Sequence, residues 1–271
     1  MAMNKKKLFR WIKVILLLYG IIGIAIYYLQ DYMLFRPVKV ELQQAYHFAE
    51  PFRELNIPYN DQTNISIIQF TTSDAPKGVV LYFHGNRKNI SRYEKFAPNF
   101  TRNGYEVWMI DYPGYGKSTG PLTEQRLYDF AEQLYRLARI KFSDDSIVIY
   151  GKSLGSGLAA WLASRKGCKQ LILETPYYSI TSLCSRYFPL YPVERLIHYK
   201  IPSYAYLKQV IVPVSIFHGT ADWVITYSNA QRLIPSLKKT DEFITIPGGS
   251  HNDLNDFPLF HQKLDSLLSI Q

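Results

Sequence analysis

Cysteine is nearly absent from this 271-residue chain, which carries only Cys168 and Cys184. Neither lies in a Cys-x-x-Cys pair or at a metal-ligating spacing, so a disulfide framework and a zinc ribbon are excluded. A structural or inert role for both thiols is the expectation, with a disulfide between them as the alternative that nothing in the sequence indicates. No repeat and no low-complexity tract is present. Past the first 13 residues there is also no long run of Lys or Arg. Lys5, Lys6, Lys7, Arg10 and Lys13 hold five of the nine net positive charges, so the body is only mildly basic and a nucleic-acid-binding face is not expected. A missing glycine removes one more class. Gly-Lys-Ser occurs at Gly151–Ser153 and at Gly116–Ser118, and a phosphate loop needs a further glycine five positions earlier. Those positions are Ser146 and Asp111.

What is present begins with an apolar run. Val14–Tyr28 carries no charge, and Trp11 to Gln30 contains only Lys13. About 20 apolar residues cross a bilayer as a helix. Trp11 at one end and Tyr27, Tyr28 and Tyr32 at the other stand where interfacial aromatics belong. The basic residues 1–13 predict a cytoplasmic start, with everything past about residue 30 on the opposite side. Gly23-Ile24-Ala25 fits a small-x-small cleavage pattern, the alternative of a removed signal peptide. The apolar run continues past it through Leu29, and an uncleaved anchor over residues 11–30 is the favoured reading. The run lacks the polar face of an interfacial helix.

After a connector at 31–50, strand and helix patterns alternate over 51–271, which predicts a largely parallel sheet flanked by helices. Arg53–Pro58 and Ser66–Phe70 read as an opening hairpin. Val79–Phe83, Glu106–Ile110, Ser146–Tyr150, Gln170–Leu173, Val212–Phe217 and Glu242–Ile246 read as further strands. Helices are expected at Arg92–Asn103, Thr123–Ile140, Leu154–Ser164, Ser228–Leu237 and Phe257–Leu268, with Thr123 as a cap. Residues 176–207, rich in Tyr, Phe and Pro, are expected to form a small cap over the strand ends. The alternative is a crossover with no contact to substrate.

Gly151-Lys152-Ser153-Leu154-Gly155 has the Gly-x-Ser-x-Gly form of a nucleophile elbow between a strand and a helix. Side chains at both glycine positions would collide with the strand and the helix. A serine needs a base, and the base needs an orienting carboxylate. Of six histidines, His251 lies in the glycine-rich loop after the last strand, where it can reach the elbow. Asp222 lies just past Val212–Phe217, at the carboxyl edge where α/β sheets build their sites. Asp111 precedes the serine and is read as fixing its own loop, Tyr112–Gly116. Asp253 and Asp256 are read as caps of the final helix. Two backbone donors must meet the developing oxyanion. Leu154, after the serine, and Asn86, in the loop after Val79–Phe83, are the candidates.

These segments together resemble the α/β-hydrolase superfamily. More narrowly, they are similar to the small membrane-anchored serine hydrolases of the alpha/beta-hydrolase-domain group, also called serine-aminopeptidase-like. The carrying pieces are His84–Asn86, Asp111–Gly120, Gly151–Gly155, His218–Ile225 and Gly248–Asp253, in family order over about residues 50–271. The resemblance implies a Ser153, Asp222, His251 triad, an acyl-enzyme and no cofactor or metal. Lys152 departs from the more frequent Arg, and Ser156 from a frequent Gly. Ester or thioester cleavage of a small-molecule or lipid-like acyl substrate is the favoured activity, with a peptidase or a non-catalytic membrane-tethered scaffold as alternatives. Asn64, Asn89 and Asn99 begin Asn-x-Ser/Thr sequons. A glycan beside the loop of Asn86 would be awkward, so the three read as chance matches. The expected setting is a bacterial inner membrane with the catalytic domain outside the cytoplasm.

Overall fold

The computed structural model describes residues 5–269, so the first four residues of the expected basic segment lie outside it. Helix α1 runs unbroken over Lys5–Leu34, longer at both ends than the apolar run. At 1.5 Å per residue this is about 45 Å of helix. Most of its side chains are exposed; Ile26 and Gln30 are buried. Beyond it, strand β1 (Arg36–Pro37) pairs in parallel with β5 (Arg87–Lys88), a two-residue clasp with no periodicity to announce it.

The main sheet has eight strands. They are β2 (Phe52–Asn60), β3 (Thr63–Phe70), β4 (Gly78–Phe83), β6 (Tyr105–Ile110), β7 (Ile147–Lys152), β8 (Gln170–Glu174), β9 (Val214–Gly219) and β10 (Glu242–Ile246). Their spatial order is β10-β9-β8-β7-β4-β6-β3-β2. The β2–β3 and β3–β6 pairs are antiparallel, and the rest are parallel. The central strands are buried on both faces. Val79, Leu81 and Phe83 enter one core while Val80 and Tyr82 enter the other, as the two-residue period of a strand requires.

Helices cover both faces. Thr123 Oγ1 accepts the Arg126 N–H at 3.2 Å and caps α3 (Glu124–Arg139). Helix α4 (Leu154–Ala163) is buried along its whole length, which its small residues permit. The expected helix Arg92–Asn103 is not continuous. It breaks into two 3₁₀ turns and the single turn α2 (Pro98–Thr101), because Pro98 has no N–H to donate and is tolerated only at a helix start. Pro235 does the same to Ser228–Leu237, where α8 covers only Tyr227–Gln231. Residues 176–207 hold α5 (Ile180–Tyr187), α6 (Val193–Leu196) and α7 (Ser203–Leu207). Helix α9 (Pro258–Ser269) closes the fold.

This topology fixes the place of a site. The chain leaves β4 in one direction to β6 and crosses back to β7 on the other side. The carboxyl ends of β4 and β7 therefore flank the switch point, where open α/β sheets bind ligands.

Candidate active site

Strand β7 ends at Lys152 and α4 begins at Leu154, leaving Ser153 alone in the turn with φ 53° and ψ −119°. A non-glycine residue at positive φ is strained, and such strain collects at functional sites. The flanking glycines are sterically required. A Cβ on Gly151 would lie 2.6 Å from Ser156 Cα and from Ala159 Cβ, and one on Gly155 would overlap the Phe83 carbonyl. Ser156, where the family resemblance favours glycine, donates its hydroxyl to the Ser153 carbonyl at 2.6 Å and ties the turn.

Lys152, between Gly151 and Ser153, is an internal cation. Its ammonium is buried and paired with the Glu174 carboxylate on β8, and Tyr150 Oη donates to the same carboxylate. The ammonium also lies 5.3 Å from the centre of the Phe96 ring. Glu174 had no motif to mark it. Only the neighbouring register of β7 and β8, which sets Lys152 beside Glu174, reveals the pair.

The other two candidates come from loops after β10 and β9, and backbone bonds knit those loops together. Ala221 N donates to Gly249 O at 2.9 Å, Thr220 N to Ile246 O at 3.1 Å, and Gly248 N to Thr220 Oγ1 at 2.8 Å. His251 Nε2 lies 2.9 Å from Ser153 Oγ, and His251 Nδ1 lies 2.7 Å from Asp222 Oδ2. The other carboxylate oxygen, Asp222 Oδ1, accepts the Val224 and Ile225 N–H groups at 2.8 and 2.9 Å. That orientation requires an Nδ1–H donor on His251 and leaves Nε2 to accept the Ser153 hydroxyl proton. Asp253 does not cap the final helix. It accepts both the Ser250 N–H and hydroxyl at 2.6 Å and braces the His251 loop, while α9 starts at Pro258 after a 3₁₀ turn. His218 also approaches Asp222, at 3.8 Å, and burial lowers its pKa.

Neither the Leu154 nor the Asn86 N–H has a protein acceptor among the described residues. The loop of Asn86 lies against the elbow, since a Cβ on the preceding Gly85 would come within 3.5 Å of Ser153 Cβ. The loop is held from three sides. Asn86 Nδ2 donates to Leu34 O at 3.0 Å at the end of α1, and Asn86 O accepts from Arg36 N at 3.0 Å and Tyr115 Oη at 2.9 Å. Asp111 completes it in a way the sequence reading missed. Its Oδ1 accepts the Ile90 N–H at 2.9 Å, bracing the loop after β4 rather than Tyr112–Gly116. Asn89 is buried there and donates to Val38 O at 2.9 Å, and Asn99 is buried against Asn255 Oδ1 at 2.6 Å. Of the three sequon asparagines, these two are not free to receive a glycan.

Ser153 and His251 open into a cavity of about 500 Å³ with a mainly apolar lining. Ile180, Leu183 and Phe188 of the 176–207 segment form one wall, and Met33 and Leu34 at the end of α1 form another. Cys184 also faces it, but it is unbonded and buried, and burial pushes its thiol up to about 11. The Cys168 thiol, likewise buried, is pushed up to about 12. Both stay protonated near neutral pH and are poor nucleophiles. Among the described residues no three His, Cys, Asp or Glu side chains converge as metal ligands would.

A mostly parallel eight-stranded sheet with a strained serine turn at its switch point defines an α/β-hydrolase-fold protein, and a family profile described as alpha/beta hydrolase fold matches residues 78–196. The chain is a distant homologue of alpha/beta hydrolase domain-containing protein 17C. It is 29% identical to the protein of that name from Xenopus tropicalis over 202 residues, 73% of this chain and 63% of that relative. It thus spans less than two thirds of the relative's length. An uncharacterized protein of Mycobacterium tuberculosis is 28% identical over 184 residues, 67% of this chain and 66% of that one. Among solved structures, an esterase of Pyrococcus furiosus superposes with a TM-score of 0.67 at 16% identity, covering 87% of this chain and 97% of that one. A thioesterase domain from the curacin biosynthetic pathway gives 0.59 at 18% identity, covering 82% and 100%. At these identities the structural likenesses establish the fold.

Proposed function

We propose that the protein is a membrane-anchored serine hydrolase cleaving ester or thioester bonds of acyl substrates. The observation that carries the reading is the line of contacts from Asp222 through His251 to Ser153, ending in an apolar cavity. In this mechanism His251 Nε2 takes the Ser153 proton as Oγ attacks the acyl carbonyl, and the imidazolium is held by Asp222. The Leu154 and Asn86 N–H groups receive the oxyanion. Collapse breaks the bond to the alkoxide or thiolate, which leaves with the proton from His251. Water then attacks the acyl-enzyme, giving its proton to His251, and Ser153 is regenerated with release of the carboxylic acid.

An acyl chain fits a cavity of this size and lining, which falls in the usual range for small-molecule sites. Each buried methylene contributes about 0.8 kcal/mol, roughly fourfold in kcat/KM. p-Nitrophenyl esters of rising chain length are therefore expected to give rising kcat/KM until the cavity is full, with aminoacyl anilides turned over far more slowly. Anilides outpacing every ester would make the enzyme a peptidase.

Helix α1 supplies the anchor, with its basic start in the cytoplasm and the catalytic domain on the far face, extracytoplasmic in a bacterial inner membrane. The exposed apolar surface of α1 supports this. Alkaline phosphatase fused after Gln271 is expected to be active. Activity only from a cytoplasmic reporter at the same point would reverse the orientation.

A further inference from the structure

Helix α1 does not stand clear of the hydrolase domain. Midway along it, Tyr19 stacks on Tyr191 with ring centres 4.4 Å apart, and Tyr19 Oη donates to Leu190 O at 2.9 Å. Tyr191 Oη returns a bond to Tyr19 O at 3.0 Å. Nearer its end, Tyr27 packs edge-on against His198, and Gln30 bonds Leu196 O at 3.3 Å and the His198 N–H at 2.6 Å. Only Lys5–Leu18 lies beyond the first of these contacts. Those 14 residues make about 21 Å of helix, short of the roughly 30 Å hydrocarbon core of a bilayer. A membrane that accommodates α1 must therefore extend past Tyr19, to the level of Leu190 and Tyr191.

The segment at that level is chemically suited to it. Tyr187–Val193, "YFPLYPV", has no charge, and charged residues return on either side at Arg186 and at Glu194 and Arg195. Leu190 is 80% exposed and Tyr187 61% exposed, with no surface among the described residues to cover them. Irregular backbone enters lipid at a cost for each polar group left unsatisfied. Here Pro189 and Pro192 have no N–H, and the N–H groups of Phe188, Tyr191 and Val193 bond to Cys184 O, Phe188 O and Tyr191 O at 2.8 to 3.1 Å, which leaves the Leu190 N–H and the Pro189 carbonyl as tip backbone groups without a partner among the described residues. The Leu190 carbonyl is taken by Tyr19. The polarity changes along α1 in the same sense. Uncharged residues face Tyr19, and the polar His198 faces the Tyr27–Gln30 level, where interfacial residues of the anchor lie. Tyr28 lies nine positions after Tyr19, about 13 Å of depth.

We infer that the tip Tyr187–Val193 is immersed with α1 in the hydrocarbon of the bilayer, so that acyl chains reach Ser153 sideways from lipid. This rests on the anchored-hydrolase reading. The base of the tip, Leu183, Tyr187 and Phe188, and the end of α1, Met33 and Leu34, are the walls of the serine cavity, so the immersed surface is continuous with the cavity lining.

The test uses the full chain reconstituted in phosphatidylcholine vesicles whose acyl chains are brominated at a shallow or a deep position. The added emission of Leu190→Trp, taken as the difference from wild type, is expected to lose most of its intensity to acyl-chain bromine. The emission of Trp11, taken as the difference from Trp11→Phe, reports insertion of α1 independently of catalysis. If Trp11 is quenched and the indole of Leu190→Trp is not, the tip lies outside the bilayer and the inference fails alone. If neither is quenched, the anchor itself fails and takes the inference with it. A charged side chain at mid-bilayer is strongly disfavoured. Leu190→Asp is therefore expected to lower hydrolysis of a vesicle-embedded long-chain ester at least about tenfold, with water-soluble p-nitrophenyl acetate turned over within about twofold of wild type. Equal rates on both substrates would overturn the lateral route.

Discussion

Ser153→Ala is expected to abolish labelling by a fluorophosphonate probe and to lower ester hydrolysis by at least about 10⁴-fold in kcat. Loss of the nucleophile in a subtilisin-type triad costs more than that, and what survives there comes from the oxyanion donors and binding. The fold should be untouched. Among the described residues the Ser153 hydroxyl hydrogen-bonds only to His251, and alanine at φ 53° carries the same backbone strain as serine. The melting temperature should therefore stay within a few degrees of wild type, which separates lost chemistry from lost structure. Hydrolysis retained above a few per cent in a folded variant would remove Ser153 from the mechanism. A wild-type protein that fails to label while folded would point to a scaffold that kept the fold without the activity.

Much of the fold is legible in the sequence because its signals are local. The strands β4, β6 and β7 are short apolar runs bounded by turn residues, and the elbow needs glycine at two positions for steric reasons that any strand-to-helix turn of this kind imposes. Ser153, Asp222 and His251 each follow a strand at the same edge of the sheet, so chain order alone suffices to nominate them, and the structure brings their side chains within hydrogen-bond distance. What is not legible depends on partners distant in the chain. The carboxylate that neutralises Lys152 is 22 residues away, and only strand register makes them neighbours. The clasp of Arg36–Pro37 on Arg87–Lys88 is too short for any period. An apolar helix also gives no sign of what packs against it. The contact of Tyr19 with Tyr191 spans 172 residues, and a sequence reading treats anchor and cap as separate parts. Pro98 and Pro235 each sit inside an otherwise helical pattern and each interrupts the helix that the pattern predicts.

Asp222 and Asp111 both follow strands and both lie near a histidine, and substitution by asparagine should separate them sharply. In Asp222→Asn the amide oxygen keeps the place of Oδ1, because the Val224 and Ile225 N–H groups still need an acceptor. The amide NH₂ then faces His251 Nδ1 and donates to it. The ring proton is driven to Nε2, where it points at Ser153 Oγ, and the base can no longer accept. In the serine-protease template the corresponding change costs about 10⁴-fold in turnover. A loss of at least about 100-fold in kcat is expected here, with little change in KM, because the interaction matters chiefly as the imidazolium forms. Asp111→Asn acts elsewhere. The carboxylate is fully buried, accepts the Ile90 N–H at 2.9 Å and lies 3.3 Å from His84 Nε2. The amide oxygen can still serve Ile90, but the loop after β4 loses a buried negative charge. Hydrogen bonds to charged groups contribute about 1.5–3 kcal/mol, so part of that is lost from stability. The expected signature is a lower melting temperature with most of kcat kept, any residual loss tracing to looser placement of Asn86. Measuring kcat, KM and thermal unfolding on both variants decides the assignment. A stable but inactive Asp111→Asn beside an active Asp222→Asn would mean that His251 is oriented by a different carboxylate, and the Ser153–His251–Asp222 mechanism would fall.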